Sequence, residues 1–246
     1  MNKLSVNINS KQFSSADRST PRQVIANLQL ELSNNEFVCM IGPSGCGKTS
    51  LLNIIAGLDH DFDGRVTINN ASSTLKTSYI FQTPRLLPWR TVLENIQLAS
   101  NNPVADTQEI IQLLADLGLQ NSLHSYPQQL SLGMQRRVAL ARGFCTHSDI
   151  LLMDEPFVSL DPPTARKARS LLLKLWREQP RNILFVTHDI DEAIQLADRL
   201  LFVSESPSHI LASIKIDMPR AERTPLAINN FKQQLKTHSD NISALI

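Results

Sequence analysis

The sequence predicts an α/β fold with a mostly parallel sheet core, an antiparallel β portion and an inserted helical block. Three observations lead there. Apolar runs of strand length, such as Glu36–Ile41, Ile150–Met153 and Asn182–Thr187, are separated by stretches with helical spacing. Strands and helices that alternate in this way build parallel sheets. The first third of the chain instead alternates apolar and polar residues, and after Thr83-Pro84 and Pro88 the pattern turns helical as far as residue 147.

Each element has its own justification. Leu4, Val6 and Ile8 alternate with polar residues, as do Leu28, Leu30 and Leu32, so both runs read as half-buried strands. The second run closes at the turn signal Ser33-Asn34-Asn35, and Ser14–Gln23 reads as a loop. Glu36–Ile41 is a buried strand bounded by Gly42, and Lys48–Gly57 is a helix with Gly57 as its stop. Val66 and Ile68 suggest a strand closed by Asn69-Asn70, and Ser78–Phe81 another. Thr91–Ala99, Thr107–Leu117 and Gln135–Phe144 space their apolar residues at three and four, which predicts helices. Pro162–Trp176 is a helix with prolines at its tolerant start. Ile190–Ala197 is a helix, and Leu200–Val203 and Leu211–Ile216 are strands. The polar tail is helical around Leu226–Leu235.

Composition narrows the classes. The 246 residues carry 24 Lys+Arg against 23 Asp+Glu, and 42% are apolar. That length supports one large domain, or a core with an insertion. A formal charge of +1 argues against a protein that grips nucleic acid electrostatically. The three cysteines, Cys39, Cys46 and Cys145, are widely spaced and odd in number, which argues against a disulfide framework or zinc site and for a reducing compartment. The N-terminal MNKLSVNINS lacks the apolar stretch of a signal peptide. No window approaches the roughly 20 apolar residues of a membrane span, so the expectation is a soluble chain whose membrane role, if any, runs through a partner.

Chemistry enters at Gly42-Pro43-Ser44-Gly45-Cys46-Gly47-Lys48-Thr49, which fits G-x-x-x-x-G-K-[ST] between an apolar strand and an amphipathic helix. Glycines let backbone N–H groups converge on phosphate oxygens, and the following helix adds its positive end. Lys48 supplies a point charge for the β- and γ-phosphates, and Thr49 a hydroxyl for Mg²⁺. Further on, Ile150–Met153 ends in Asp154-Glu155. A buried strand would deliver both acids to its C-terminal edge, where open α/β sheets bind ligands. Asp154 would then hold Mg²⁺, and Glu155 would act as general base toward water. Two solvated acids at a strand end are the plainer alternative.

These residues, with Phe81-Gln82, Leu130-Ser131-Leu132-Gly133-Met134-Gln135-Arg136-Arg137, Asp154-Glu155-Pro156, Ser159-Leu160-Asp161 and Thr187-His188-Asp189 in order, resemble the ATP-binding subunits of ATP-binding cassette (ABC) transporters. The resemblance runs from about residue 3 to 216. It implies a P-loop NTPase core of RecA-like type and the cofactors ATP and Mg²⁺. It implies a cassette over 1–216, with 1–83 and 148–216 as catalytic core and β subdomain, 84–147 as helical signature subdomain, and 217–246 as a short helical tail.

The resemblance also implies roles. Phe13 stacks on adenine, although a core phenylalanine at a strand end is the alternative. The loop Gly42–Thr49 with Ser50 binds the phosphates. Gln82 touches Mg²⁺ and the attacking water, beside the metal-holding Thr49 and Asp154. Ser131 and Gly133 cap the γ-phosphate bound to a second copy, and Asp161 lies across that interface. His188 hydrogen-bonds the γ-phosphate. Ser131 also reads as an N-cap for the helix that follows. The remaining histidines, His60, His124, His147, His209 and His238, read as surface residues. Trp89 falls where the family lines a groove for the membrane partner, with a structural tryptophan as the alternative.

One departure stands out. The family signature has glycine where this chain has Leu132. Only glycine takes positive φ freely, so leucine is expected to narrow the pocket or shift the loop and to slow hydrolysis. The segments around Leu86–Val92 and Met134–Leu140 resemble the nitrate, sulfonate and taurine importers, and residues 217–246 are too short for a regulatory β-domain. The implied partners are a second copy, a membrane permease and, indirectly, an extracytoplasmic solute-binding protein. The implied place is the cytoplasmic face of the membrane. Two alternatives stay open: a soluble cassette switch not coupled to transport, and a nucleotide-binding module whose hydrolysis Leu132 has impaired.

Overall fold

The structure is a computed structural model that describes residues 3–14, 21–68, 75–100, 106–158, 160–238 and 240–245. In chain order its strands and helices are β1 (Leu4–Phe13), β2 (Arg22–Leu32), β3 (Phe37–Ile41), α1 (Lys48–Ile55), β4 (Asp63–Ile68), β5 (Thr77–Ile80), α2 (Val92–Gln97), α3 (Thr107–Asp116), α4 (Leu132–Cys145), β6 (Ile150–Asp154), α5 (Pro162–Glu178), β7 (Asn182–Val186), α6 (Ile190–Leu196), β8 (Arg199–Val203), β9 (Ile210–Lys215), α7 (Pro225–His238) and α8 (Asp240–Ser243). They fall into two compact units, Met1–Leu75 with Asn182–Ile246, and Lys76–Arg181.

The first unit holds two sheets. β1 pairs antiparallel with β2 on one side and β4 on the other. Its inward residues Leu4, Val6 and Ile8 are buried, which is what their alternation requires. β2 begins at Arg22, so Arg22 and Gln23 belong to a strand and not to the expected loop. The sequence pattern hides this, because Val24 and Ile25 are both buried and Asn27 sits at φ 50, where the alternation breaks. The second sheet runs β7-β3-β8 in parallel, with β9 antiparallel to β8. β3 and β7 are buried along their whole length, as strands covered on both faces must be. Gly57, at φ 68, does terminate α1. From the tail, the Arg223 guanidinium donates to the carbonyls of Ile194 (2.8 Å) and Ala197 (2.7 Å) at the end of α6. Burial pushes that guanidinium down to about 10.

The second unit pairs β5 and β6 in parallel and holds α2–α5, with α4 packed against β5. α2 starts on a capping box in which Thr91 and Glu94 satisfy each other's backbone amides. α3 and α5 bury one face each, through Ile110, Leu113 and Leu114, and through Ala165, Ala168, Leu171 and Leu172. α4 begins at Leu132, three positions before the expected Gln135, because the Ser131 cap makes the first turn helical. Gly143 sits in α4 where a Cβ would lie 2.5 Å from Ile80 Cγ1, so glycine permits the close approach of α4 to β5. Asn69-Asn70 and Ser159 lie outside the described residues.

Candidate nucleotide-binding site

In the first unit, the chain leaves the buried end of β3 at Ile41 and turns through Gly42–Gly47 into α1. Gly45 and Gly47 have φ 76 and φ 107, a region that L side chains avoid. At Gly47 a Cβ would also lie 2.6 Å from Val24 Cγ1, so strand β2 backs the loop directly. At Gly42 a Cβ would lie 3.0 Å from the Val203 carbonyl oxygen. No side chain caps α1, so its first amides are presented at the loop. The Lys48 ammonium is folded onto the loop and donates to the carbonyls of Gly42 and Pro43, 2.8 Å each, with Cys46 Sγ at 3.8 Å. Ser44, Gly45 and Thr49 are exposed, Pro43 and Ser50 are half-buried, and Cys46 is buried. Left-handed glycines, a helix start without a side-chain cap and a lysine ammonium together form a backbone turn of the kind that binds phosphate.

β7 is the parallel neighbour of β3, with Met40 opposite Val186. The amide of Thr187 still donates to the Met40 carbonyl (3.3 Å), and His188 follows, exposed, at the same strand edge as the loop. Asp189 then caps α6 by accepting from the amides of Asp191 and Glu192. The Thr187 hydroxyl donates to the buried Glu192 carboxylate (2.8 Å), which fixes the backbone that carries His188.

Phe13 ends β1 opposite Arg22, close to the Val24 that backs Gly47. It is 46% exposed, so the alternative of a core phenylalanine falls away. The first unit therefore carries Phe13, the Gly42–Ser50 loop and His188.

In the second unit, β6 carries Asp154 and Glu155 to its C-terminal edge. Asp154 is buried, and Glu155 has φ 47, a strained conformation for glutamate. β5 ends beside it, with Ile80 opposite Met153, and leads into the exposed Gln82. Tyr79 and Phe81 stack at 3.9 Å between centroids, and the Arg85 guanidinium lies 3.9 Å from the Phe81 centroid. The Tyr79 hydroxyl is pushed up, first by burial and then by the Asp154 carboxylate, with Arg85 opposing. Arg142, from α4, donates to the carbonyls of Pro84 (3.0 Å) and Arg85 (2.9 Å). Asn95 accepts from Leu87 N (2.8 Å) and donates to the carbonyls of Arg90 and Thr91 (3.0 Å each). Those two residues hold the segment between Gln82 and α2, on which Trp89 stands 68% exposed.

The Ser131 hydroxyl accepts from Met134 N (3.3 Å) and caps α4, as expected. Leu132 does not strain the backbone. It lies in the first helical turn, outside the positive-φ residues, and its side chain is 51% exposed. Gly133 has room for a Cβ, the nearest atom being Leu160 Cδ2 at 3.7 Å. The conformational reason for expecting a shifted loop is therefore absent. Asp161 caps α5 by accepting from Thr164 N (3.1 Å), and hydrogen bonds from the Thr164 hydroxyl first and then its amide hold the carboxyl below the usual range. Of the other histidines, His60, His124, His147 and His209 are exposed, and the side chain of His238 lies outside those described.

Sequence reasoning missed Val24 behind Gly47, the loop staples Arg142 and Asn95, and Lys11, whose ammonium lies 4.7 Å from the Phe13 ring centroid. Lys11 stands two positions before Phe13 and so shares its face of the strand, but nothing in the local pattern marks that position as buried.

Comparison with known proteins bears on the same residues. The profile of the ABC transporter family matches residues 25–158. The aliphatic sulfonates import ATP-binding protein SsuB of Bacillus subtilis (strain 168) is 39% identical, over 90% of this chain and 89% of that protein. A second such protein, from Pseudomonas syringae pv. tomato, is 41% identical over 82% and 86% respectively. Among solved structures, a dimeric ATP-binding cassette in a post-hydrolysis state bound to ADP and Pi superposes with a TM-score of 0.77 at 28% identity, covering 88% of this chain and 100% of that one. Among the described residues no helix is long and apolar enough to cross a membrane. A glycine cradle at a helix start, acids at a strand edge and likeness along nearly the whole chain agree, and the chain belongs to the ABC transporter family as an ATP-binding, ATP-hydrolysing subunit.

Proposed function

We propose that this ATPase energises import of a small sulfonate-type anion, with nitrate and taurine as the neighbouring candidates. It would do so through a separate membrane permease, as a dimer at the cytoplasmic face, with an extracytoplasmic binding protein delivering the solute. The observation that carries the solute class is the likeness to aliphatic-sulfonate import proteins over 90% of the chain.

In this reading residues 1–216 form the cassette, with 84–147 as its signature-bearing part and 217–246 as a tail. The amides of Gly42–Thr49, with Ser50 behind them, bind the phosphates, and Lys48 leaves its own loop carbonyls to pair with them. Phe13 stacks on adenine. Mg²⁺, when bound, neutralises charge on the β- and γ-phosphates. The Thr49 hydroxyl, the Gln82 amide and the Asp154 carboxylate would hold it, each a hard oxygen donor of the kind this ion takes. Glu155 takes the proton of the attacking water, and its strained backbone is what functional positions tend to carry. His188 donates to a γ-phosphate oxygen. Ser131 and Gly133 of one copy close over the nucleotide of the other, with Asp161 at the seam, and exclude water.

The test is Glu155→Gln in a strain whose growth on an alkanesulfonate depends on this chain. ATP binding should persist, while turnover and uptake fall at least a hundredfold, the scale of a lost general base. Full turnover would remove Glu155 from the mechanism. Intact turnover with no uptake of alkanesulfonate, taurine or nitrate would overturn the solute class.

A further inference from the structure

We propose that Lys11 is a positioning residue for purine recognition: its buried ammonium holds and polarises the Phe13 ring from one side, and ties that ring to the end of the P-loop helix. The inference rests on the stacking role proposed for Phe13.

The placement of Lys11 follows from strand irregularity. Leu4, Val6 and Ile8 fill the inward face of β1. The β1–β4 register then shifts between Ile8 and Ser10, and the β1–β2 register between Lys11 and Gln12. A bulge moves the inward face from even to odd positions. Lys11 thereby takes a core place at 2% exposure, and Phe13, two residues on, shares its face.

A buried ammonium must be paired. Nζ of Lys11 donates to Asp59 Oδ1 (2.9 Å) and to the Asp61 carbonyl (2.6 Å), with Asp61 Oδ2 at 3.4 Å. The Asp59 side chain is 20% exposed and that of Asp61 is 94% exposed, so Asp59 is the stronger electrostatic partner. The same Nζ lies 4.7 Å from the Phe13 centroid, inside the range of a cation–π contact. A cation on one face draws ring density toward itself. The opposite face becomes electron-poor and better matched to the electron-rich face of a purine.

Asp59 is itself fixed to the P-loop helix. Its amide and that of Leu58 both donate to the Asn53 carbonyl, at 3.2 and 2.9 Å. One ammonium thus joins the aromatic that would meet the base to the helix whose other end meets the phosphates.

The experiment measures binding of ATP and of inorganic tripolyphosphate to the full chain by titration calorimetry. Phe13→Ala should weaken ATP and leave tripolyphosphate unchanged. Lys11→Met should weaken ATP about fivefold, the scale of one cation–π contact, and also leave tripolyphosphate unchanged. Added to Phe13→Ala, it should have no further effect. Equal weakening of both ligands, or an additive loss in the double variant, would overturn the inference and leave Lys11 a plain ion-pair residue. If Phe13→Ala leaves ATP binding intact, the stacking reading itself fails. If Phe13→Ala weakens ATP and Lys11→Met does not, only the inference fails. Should Lys11→Met not fold, Lys11→Met/Asp59→Asn removes the charges together and takes the same measurement.

Discussion

Two short segments, each at the start of a helix and each proposed to meet phosphate, are built on opposite principles. The Gly42–Thr49 loop leaves α1 without a side-chain cap and places Gly45 and Gly47 at positive φ, a backbone shape in which successive amides can converge on an anion. The Ser131–Gly133 segment satisfies α4 with a hydroxyl cap and keeps ordinary helical backbone through Leu132. The first is a specialised conformation that tolerates few residues. The second is a conventional helix start, and the position held by Leu132 is free to vary as far as the backbone is concerned. A glycine in a motif is therefore informative only with its φ and its neighbours, and that is why Leu132 is compatible with an active cassette fold.

Substitutions in the two segments can break that contrast. Gly47→Ala should have the largest effect, on the order of 3 kcal/mol from left-handed strain together with the 2.6 Å approach to Val24. Denaturant unfolding and ATP titration would read it, and unchanged ATP affinity would mean that the nest is not needed. Ser131→Ala should cost about 1 kcal/mol of stability through the lost cap, read as a lower melting temperature. Nucleotide binding by the isolated chain should not move, because the cap serves its own helix. Leu132→Gly should do least: a stability loss below about 1 kcal/mol at a helix start, and ATP turnover within about twofold. A several-fold rise in turnover would show that the leucine side chain obstructs the site even though its backbone does not.

Much of this was legible locally. The P-loop spacing, the acids after an apolar run, and Ser131 before a helical pattern are each contained in a few consecutive residues, and the structure puts them at a strand end, a strand edge and an N-cap. The strand-like alternation around Leu4–Ile8 was equally direct. The start of β2 was not, because Val24 and Ile25 abandon the alternation near Asn27. Nor was the hold of Asn95 on Leu87, Arg90 and Thr91, which needs a loop to fold back on a helix.

By itself the sequence determined the kind of each element and the chemistry at its ends, since capping, glycine freedom and periodicity act over a single turn or strand. The tertiary structure alone decided that Lys11 is buried under Phe13, that Val24 closes the space beside Gly47, and that Leu132 lies on ordinary helix. Those outcomes depend on the register between strands and on atoms distant in the chain, and a one-residue bulge moves a side chain from one face of a sheet to the other without leaving any mark in the local pattern.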